Sequence, residues 1–377
     1  MVTKGGMEGQ ERGKMVRTFA RQRNLRMGLV LERGVGGVFA RRRSAIRTQS
    51  RTRVRRTEDA PDRLDFIEGM RGLAALYVVL SHFVSMADWR FSQGKSSTSP
   101  EWLRALMAPF THGHLAVAAF IVISGFCLQY ALFRPSSAGA EGRMRGTGRF
   151  FRRRALRILP AYYGSLVLSV LVTATVTTRM AGSQPFDTYL PLDSSTLLSH
   201  IFLVHNLSIN WMYKLNGALW SIAIEAQLYL LFPMLVRTIW RRGRRATLFG
   251  SAALTVRPGA TKLYFWFLPL FVVGMVAAHL AFRPHPRRGI LPRVATLLAS
   301  VLGLATWGAV LGNLPIAASD LLFGGLIACV CYAMTVQPGR WGERLLSIRP
   351  LFALGGFSYS LYLIHSPLQQ VLWVLRP

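Results

Sequence analysis

Along this chain, long apolar blocks alternate with short polar and basic stretches. The blocks run about 18–25 residues, the length that a ~30 Å hydrocarbon layer demands of a spanning helix. The pattern predicts membrane helices over residues 69–87, 115–133, 157–178, 218–236, 263–282, 294–311, 316–336 and 351–375. Two segments fit less easily. Residues 195–217 are short and interrupted by polar side chains, which suits a re-entrant or interfacial helix. The stretch "ATLFGSAALTV" (246–256) offers only ~16 Å of helix, a shortened crossing. The expected fold class is therefore all-α, a polytopic membrane helix bundle of about nine to ten membrane segments, without internal repeats or a separate soluble domain.

The polar stretches predict an orientation. "RPSSAGAEGRMRGTGRFFRRRALR" (134–157), "RTIWRRGRR" (237–245), "RPHPRRGILPR" (283–293) and "QPGRWGERLLSIR" (337–349) concentrate the basic residues and are expected in the cytoplasm. The stretches 88–112 and 180–196 are poorer in Lys and Arg, the second carrying Asp187 and Asp193, and are expected outside. The N-terminus is then cytoplasmic, and the protein is expected as a multi-pass protein of the plasma (inner) membrane. Residues 1–63 form a basic extension, expected to be disordered, with "ARRRSAIRTQSRTRVRR" at its end. Its one apolar run, "MGLVLERGVGGVFA", is broken by Glu32 and Arg33 and does not read as a signal peptide. Residues 64–377 are the membrane domain.

Composition changes this picture little. The 377 residues are 51% hydrophobic, with a mean hydropathy of +0.30. A net charge of +30, from 46 Lys+Arg against 16 Asp+Glu, would suggest nucleic acid in a soluble protein. Here the charge sits in the extension and between the apolar blocks, so membrane lipids are the expected partner and nucleic acid is not. Cys127, Cys329 and Cys331 lie in apolar segments, with no spacing that suggests a metal site or a disulfide framework.

Ionisable residues inside the apolar blocks are the candidates for chemistry, because each is costly in lipid and usually faces a cavity or a bundle interior. In "GMRGLAALYVVLSHF", Arg71 and His82 stand about three helical turns apart and share a face, roughly 16 Å along the axis. Glu68 can pair with Arg71 one turn earlier. "LWSIAIEAQLYLLFP" places Ser221, Glu225 and Tyr229 on one face. Glu225 either buttresses a buried arginine or joins the reaction; the first is favoured, so Glu225→Gln is expected to destabilise the protein. In "FFRRRALRILPAYY", Arg153 and Arg157 lie one turn apart, as anchors or as a phosphate site suited to the planar guanidinium fork. Pro160 is expected in the first turns, where a kink opens a crevice. "HGHLAVAAFIVISGF" offers Ser124-Gly125 for close helix approach, and His114 as a loop or rim residue. "FSYSLYLIHSPL" ends a helix turn with His365 ahead of Pro367.

No GxSxG, Walker or HExxH pattern is present in the sequence. What remains is a histidine able to act as general base, a carboxylate, and a cationic mouth suited to a phosphorylated ligand. That combination fits group transfer across or within a membrane. The rival is a transporter using the buried charges as an ion or substrate path, which would carry inverted repeats that this sequence lacks.

The order of these pieces resembles the acyltransferase 3 family. It runs from an Arg and a His with ten residues between them, through "SGF", "RRALRILPAYY" and "WSIAIEAQLYLLFP", to "GGFSYSLYLIHSPL". The resemblance covers residues 64–377 and implies an integral-membrane O-acyltransferase. It implies an acyl-CoA donor, acetyl-CoA above all, as substrate rather than tightly bound cofactor, and a carbohydrate or lipid-linked hydroxyl as acceptor. On this resemblance His82 is the catalytic base and Arg71 handles the donor or orients the site. Arg153 and Arg157 contact the phosphates of coenzyme A, and Glu225 and His365 complete the set. Whether the acyl group passes directly or through an acyl-histidine stays open. Members usually continue into a further helix after "YLIH", so the domain is expected to lack its last helix.

Overall fold

A computed structural model describes residues 64–133, 147–255, 264–282, 290–339 and 341–375. The expected extension (1–63) and parts of three basic stretches (134–146, 283–289 and 340) lie outside the described residues. Among the described residues all regular structure is helical: α1 (Asp65–Ala87), α2 (Trp89–Ser92), α3 (Glu101–Met107), α4 (Gly113–Phe133), α5 (Thr147–Thr175), α6 (Ser194–Ile201), α7 (Ile209–Met212), α8 (Leu219–Ala253), α9 (Phe267–Ala281), α10 (Leu291–Leu311), α11 (Ile316–Val336), α12 (Trp341–Leu346) and α13 (Arg349–Val374).

Every predicted apolar block falls on a helix, and two of the basic stretches are helical where they are described, 147–157 and 237–245. α5 begins at Thr147, so Pro160 stands in mid-helix rather than in its first turns. α8 continues through 237–245 to Ala253, with non-helical backbone only at Gly243 (φ 86°, ψ 168°). Residues 246–253 of the shortened-crossing stretch are thus the continuation of α8 beyond a kink; residue 256 lies outside the described residues. Arginine is a good helix former, so a basic run at the end of a span extends the helix. α13 likewise passes through Pro367 to Val374, so Pro367 does not end it.

Six helical stretches are long and apolar enough to cross a membrane, and α9 is apolar over a shorter length. The expected nine to ten is not reached on this measure, because α13 carries Ser, Tyr, His and Gln along its length and the 195–217 segment is broken up. That segment forms α6, a turn at His205–Leu207 and α7, each too short to span. Asp193 caps α6, accepting from the Thr196 amide at 2.7 Å. Asn216 is fully buried and donates to the Leu363 carbonyl (3.0 Å) and Ser169 Oγ (3.2 Å), tying the segment to α13 and α5 before α8 begins.

Two helix pairs set the frame, and both need glycine. α1 and α13 run in parallel, and a Cβ at Gly355 would stand 2.1 Å from the Glu68 carbonyl oxygen. α4 and α9 meet through Gly125 and Gly274, where added Cβ atoms would stand 2.1 Å from the Phe271 and Val122 carbonyls. Such close approach is how membrane helices gain packing without a hydrophobic driving force. Gly125→Ala should therefore push α9 away and cost about 1–3 kcal/mol; melting in detergent will register it as a lowered Tm.

Candidate active site

The parallel packing of α1 and α13 gives the two histidines one register. Gly72 faces Gly355 low in the pair, and ten residues further along each helix His82 meets His365, with ring centroids 4.8 Å apart. His365 Nδ1 lies 2.7 Å from the Tyr362 carbonyl oxygen, which can only accept, so that nitrogen carries the proton. In a neutral pair His365 Nε2 is then an acceptor, and His82 Nδ1 donates to it at 3.1 Å. The chain of bonds ends at His82 Nε2, left with an unshared lone pair. Gly217 leaves room beside the ring: a Cβ there would come within 3.7 Å of His82 Cε1.

Below this pair lies a narrow crevice of about 40 Å³, lined by Arg71, Phe120, Ser221, Glu225, Tyr359 and Tyr362 among others. Arg71 is 18% exposed and stands 3.7 Å from Glu68, as its position one turn on suggests. Ser221 does not join Glu225 in a hydrogen bond; its hydroxyl meets Tyr362 Oη at 2.6 Å. Glu225 Oε1 accepts from Ser124 Oγ at 2.8 Å and closely from Tyr229 Oη. Ser124 and Tyr229 are themselves 2.7 Å apart. Among the described residues Glu225 forms no ion pair, although its charge reaches Arg71 and Arg154.

At the end of α5 nearest this seam the arginines divide. Arg153 and Arg157 are exposed. Arg154, between them, turns inward, with its guanidinium 5.7 Å from the Tyr229 ring centroid and 5.9 Å from that of Phe150. Its Nε is buried without a hydrogen-bond partner among the described residues, while the side chain as a whole is half-buried. A half-buried guanidinium lying on aromatic faces, with a donor to spare, is a ready anion site.

The structure thus brings Arg71 and Glu225 into one crevice and sets His82 and His365 together just past its end. It keeps Arg153 and Arg157 on the surface beside it. Three contributors escaped the sequence reading. Arg154 looked like one basic residue among several, and Tyr362 like one aromatic among several. The third, Asp320, carried a usable signal, being the lone carboxylate in the apolar run of α11. It is fully buried and held by His114 and Trp266.

Comparison with known proteins supplies the family. Residues 64–376 match the acyltransferase domain family. Nodulation protein 10 of Rhizobium leguminosarum bv. viciae is 30% identical over 187 residues, 47% of this chain and 45% of that protein. A putative O-acetyltransferase of Staphylococcus aureus strain COL is 24% identical over 334 residues, 79% of this chain and 49% of that protein. The O-acetyltransferase OatA of Staphylococcus aureus strain NCTC 8325 is 23% identical over 343 residues, 82% of this chain and 51% of that protein. The chain spans about half the length of the curated relatives it matches. No solved structure matches it. With the family match running almost from the first described residue to the last, and long apolar helices throughout, this chain is a multi-pass integral membrane protein of the acyltransferase 3 family.

Proposed function

We propose that the protein is an O-acyltransferase that moves an acetyl or other short acyl group from acyl-CoA to a hydroxyl of a carbohydrate or related lipid-linked acceptor. The observation that carries the reading is the bonded chain from the Tyr362 carbonyl through His365 to His82. It fixes the His82 tautomer and leaves Nε2 without a partner among the described residues, three turns along α1 from Arg71 and one turn along α13 from Tyr362, both of which line the crevice with Glu225. In the reaction, His82 Nε2 takes the proton of the acceptor hydroxyl as its oxygen attacks the thioester carbonyl. The C–O bond forms, the C–S bond breaks, and the departing thiolate of coenzyme A takes the proton back from His82. His365 touches neither substrate; it is a positioning residue, taking the part that a carboxylate plays in other histidine bases. Arg71, at the crevice, offers its charge to the donor.

In this reading the end of the bundle that carries Arg153, Arg154 and Arg157 faces the cytoplasm of the plasma membrane, and these side chains meet the phosphates of coenzyme A. Arg154 is the strongest candidate, being already half-buried and lacking a partner at Nε among the described residues. Arg154→Ala should raise the KM for acyl-CoA about tenfold or more and leave the acceptor dependence unchanged. A phosphate clamp binds ground and transition states alike. Arg154→Lys should recover only part of the loss, since lysine lacks the planar fork. An effect confined to the acceptor would refute this placement.

Incubation of membranes with radiolabelled acetyl-CoA tests the whole reading. Label should pass to a base-labile ester on a membrane or surface component. Uptake of label without covalent transfer would favour a transporter.

A further inference from the structure

A second histidine stands in a more elaborate setting than its surroundings require. His114 occupies the first turn of α4, and its Nδ1 lies 2.7 Å from Asp320 Oδ1. Trp266 Nε1 donates to the other carboxylate oxygen at 2.9 Å. Asp320 is completely buried, and burying a carboxylate is costly unless its oxygens are used, as both are here. The carboxylate can only accept, so the neutral ring carries its proton on Nδ1 and presents a lone pair at Nε2. The side chain is 18% exposed, and Nε2 has no protein partner among the described residues.

Its position ties it to the crevice. Gly113 abuts α1 so closely that a Cβ there would stand 2.6 Å from Ser81 Oγ. α1 and α4 run antiparallel, so His82 and His114 stand one residue to either side of that contact, about 3 Å apart along the bundle axis. Val117 and Ile121 follow His114 at three and seven residues, close to the same face of α4, and both line the crevice. His114 thus stands at the top of the crevice wall, on a different side from the His82–His365 pair.

We propose that the His114–Asp320 dyad is an acceptor-holding subsite. Its Nε2 takes a hydrogen bond from one hydroxyl of a polyhydroxylated acceptor, while a second hydroxyl of the same molecule reacts at His82. This inference rests on the transferase reading above and narrows its acceptor class to molecules with at least two hydroxyl groups in register. His114 is a positioning residue; the proton of the reacting hydroxyl goes to His82.

Asp320→Asn and His114→Gln test it in membranes of cells that make the protein, with labelled acetyl-CoA as the probe and endogenous acceptor present. In Asp320→Asn, Trp266 retains the amide oxygen, the amide nitrogen turns toward His114 Nδ1, and the ring proton moves to Nε2. The lone pair offered to the acceptor is lost without loss of shape. Two quantities are read: release of free coenzyme A thiol, and the division of label between hydroxyl ester and free acetate. The expected result is thiol release near the wild-type rate with the ester share reduced about 3–10-fold, the range for one lost hydrogen bond. An unchanged division overturns the proposal. So does a parallel fall of both quantities in a variant that melts like the wild type, which would place the dyad in the donor step. Early melting of both variants marks the dyad as a structural tie between α4 and α11 and overturns it too. If the wild type releases no thiol, the transferase reading fails first and this inference falls with it.

Discussion

His82→Ala should lose about 10²–10⁴ of the transfer rate, the usual contribution of a general base, and remain in the membrane with a nearly unchanged Tm. The loss is chemical rather than structural because the imidazole holds little together. One ring nitrogen meets His365 at 3.1 Å; the other has no protein partner among the described residues. Removing the ring frees His365 Nε2 but leaves no buried charge behind, and the void opens beside Gly217, where a side chain is already absent. His365 supplies the discriminating control. His365→Gln can place its amide oxygen where Nε2 stood and accept from His82 Nδ1, so it should retain part of the rate. His365→Ala, which frees the His82 tautomer, should retain less. If the positions were mere packing, the two substitutions would rank by volume in Tm and leave turnover alone. Rates of thiol release and ester formation, measured beside melting in detergent, separate the cases. Turnover of His82→Ala near that of the wild type would remove the residue from the reaction.

How far the sequence carries depends on which physical quantity decides each feature. Span positions were legible because bilayer thickness fixes the length of an apolar block, and all eight blocks lie on helices. Helix ends were not, because a basic run can either leave the helix or prolong it. α5 and α8 prolong it, and only the backbone at Gly243 shows where the second bends. Within one helix the period was enough: Arg71 pairs with Glu68, and Tyr229 with Glu225, at the spacing expected. Between helices it failed. Ser221 and Glu225 share a face, yet the first bonds Tyr362 on α13 and the second Ser124 on α4, contacts that depend on how neighbouring helices are rotated. The arginines show the same limit. Arg153 and Arg157 share one face of α5, and the structure turns that face outward, leaving Arg154 to enter the seam. His114 was legible only as a rim residue, since its partner Asp320 lies 206 positions away in sequence.

Glu225→Gln should fold with a Tm close to that of the wild type and lose about 10–100-fold in kcat/KM, an outcome opposite to the one its sequence suggests. A carboxylate in an apolar helix reads as half of a buried ion pair, whose rupture would cost about 3–5 kcal/mol. The structure supplies a different partner set. Both hydroxyls that bond Glu225, those of Ser124 and Tyr229, donate to the same oxygen, Oε1. A glutamine keeps an acceptor at that place, so the three-membered seam survives the substitution. What it loses is the charge, and the amide nitrogen replaces Oε2 as a donor on a residue that lines the crevice beside Arg71. Hydrogen bonds to charged groups are worth roughly 1.5–3 kcal/mol, which sets the expected loss if Oε2 accepts from donor or acceptor. Glu225→Ala differs in kind, because it leaves two buried hydroxyls to bond only one another. Each orphaned group costs about 1–3 kcal/mol, so this variant should melt early as well as lose activity. The pair of substitutions therefore separates the two oxygens: Oε1 holds α8 to α4, and activity lost without stability in Glu225→Gln is the signature expected of a role for Oε2. A Glu225→Gln protein that melts several degrees early would return the residue to a purely structural role, and one with full turnover would leave the crevice charge to Arg71 alone.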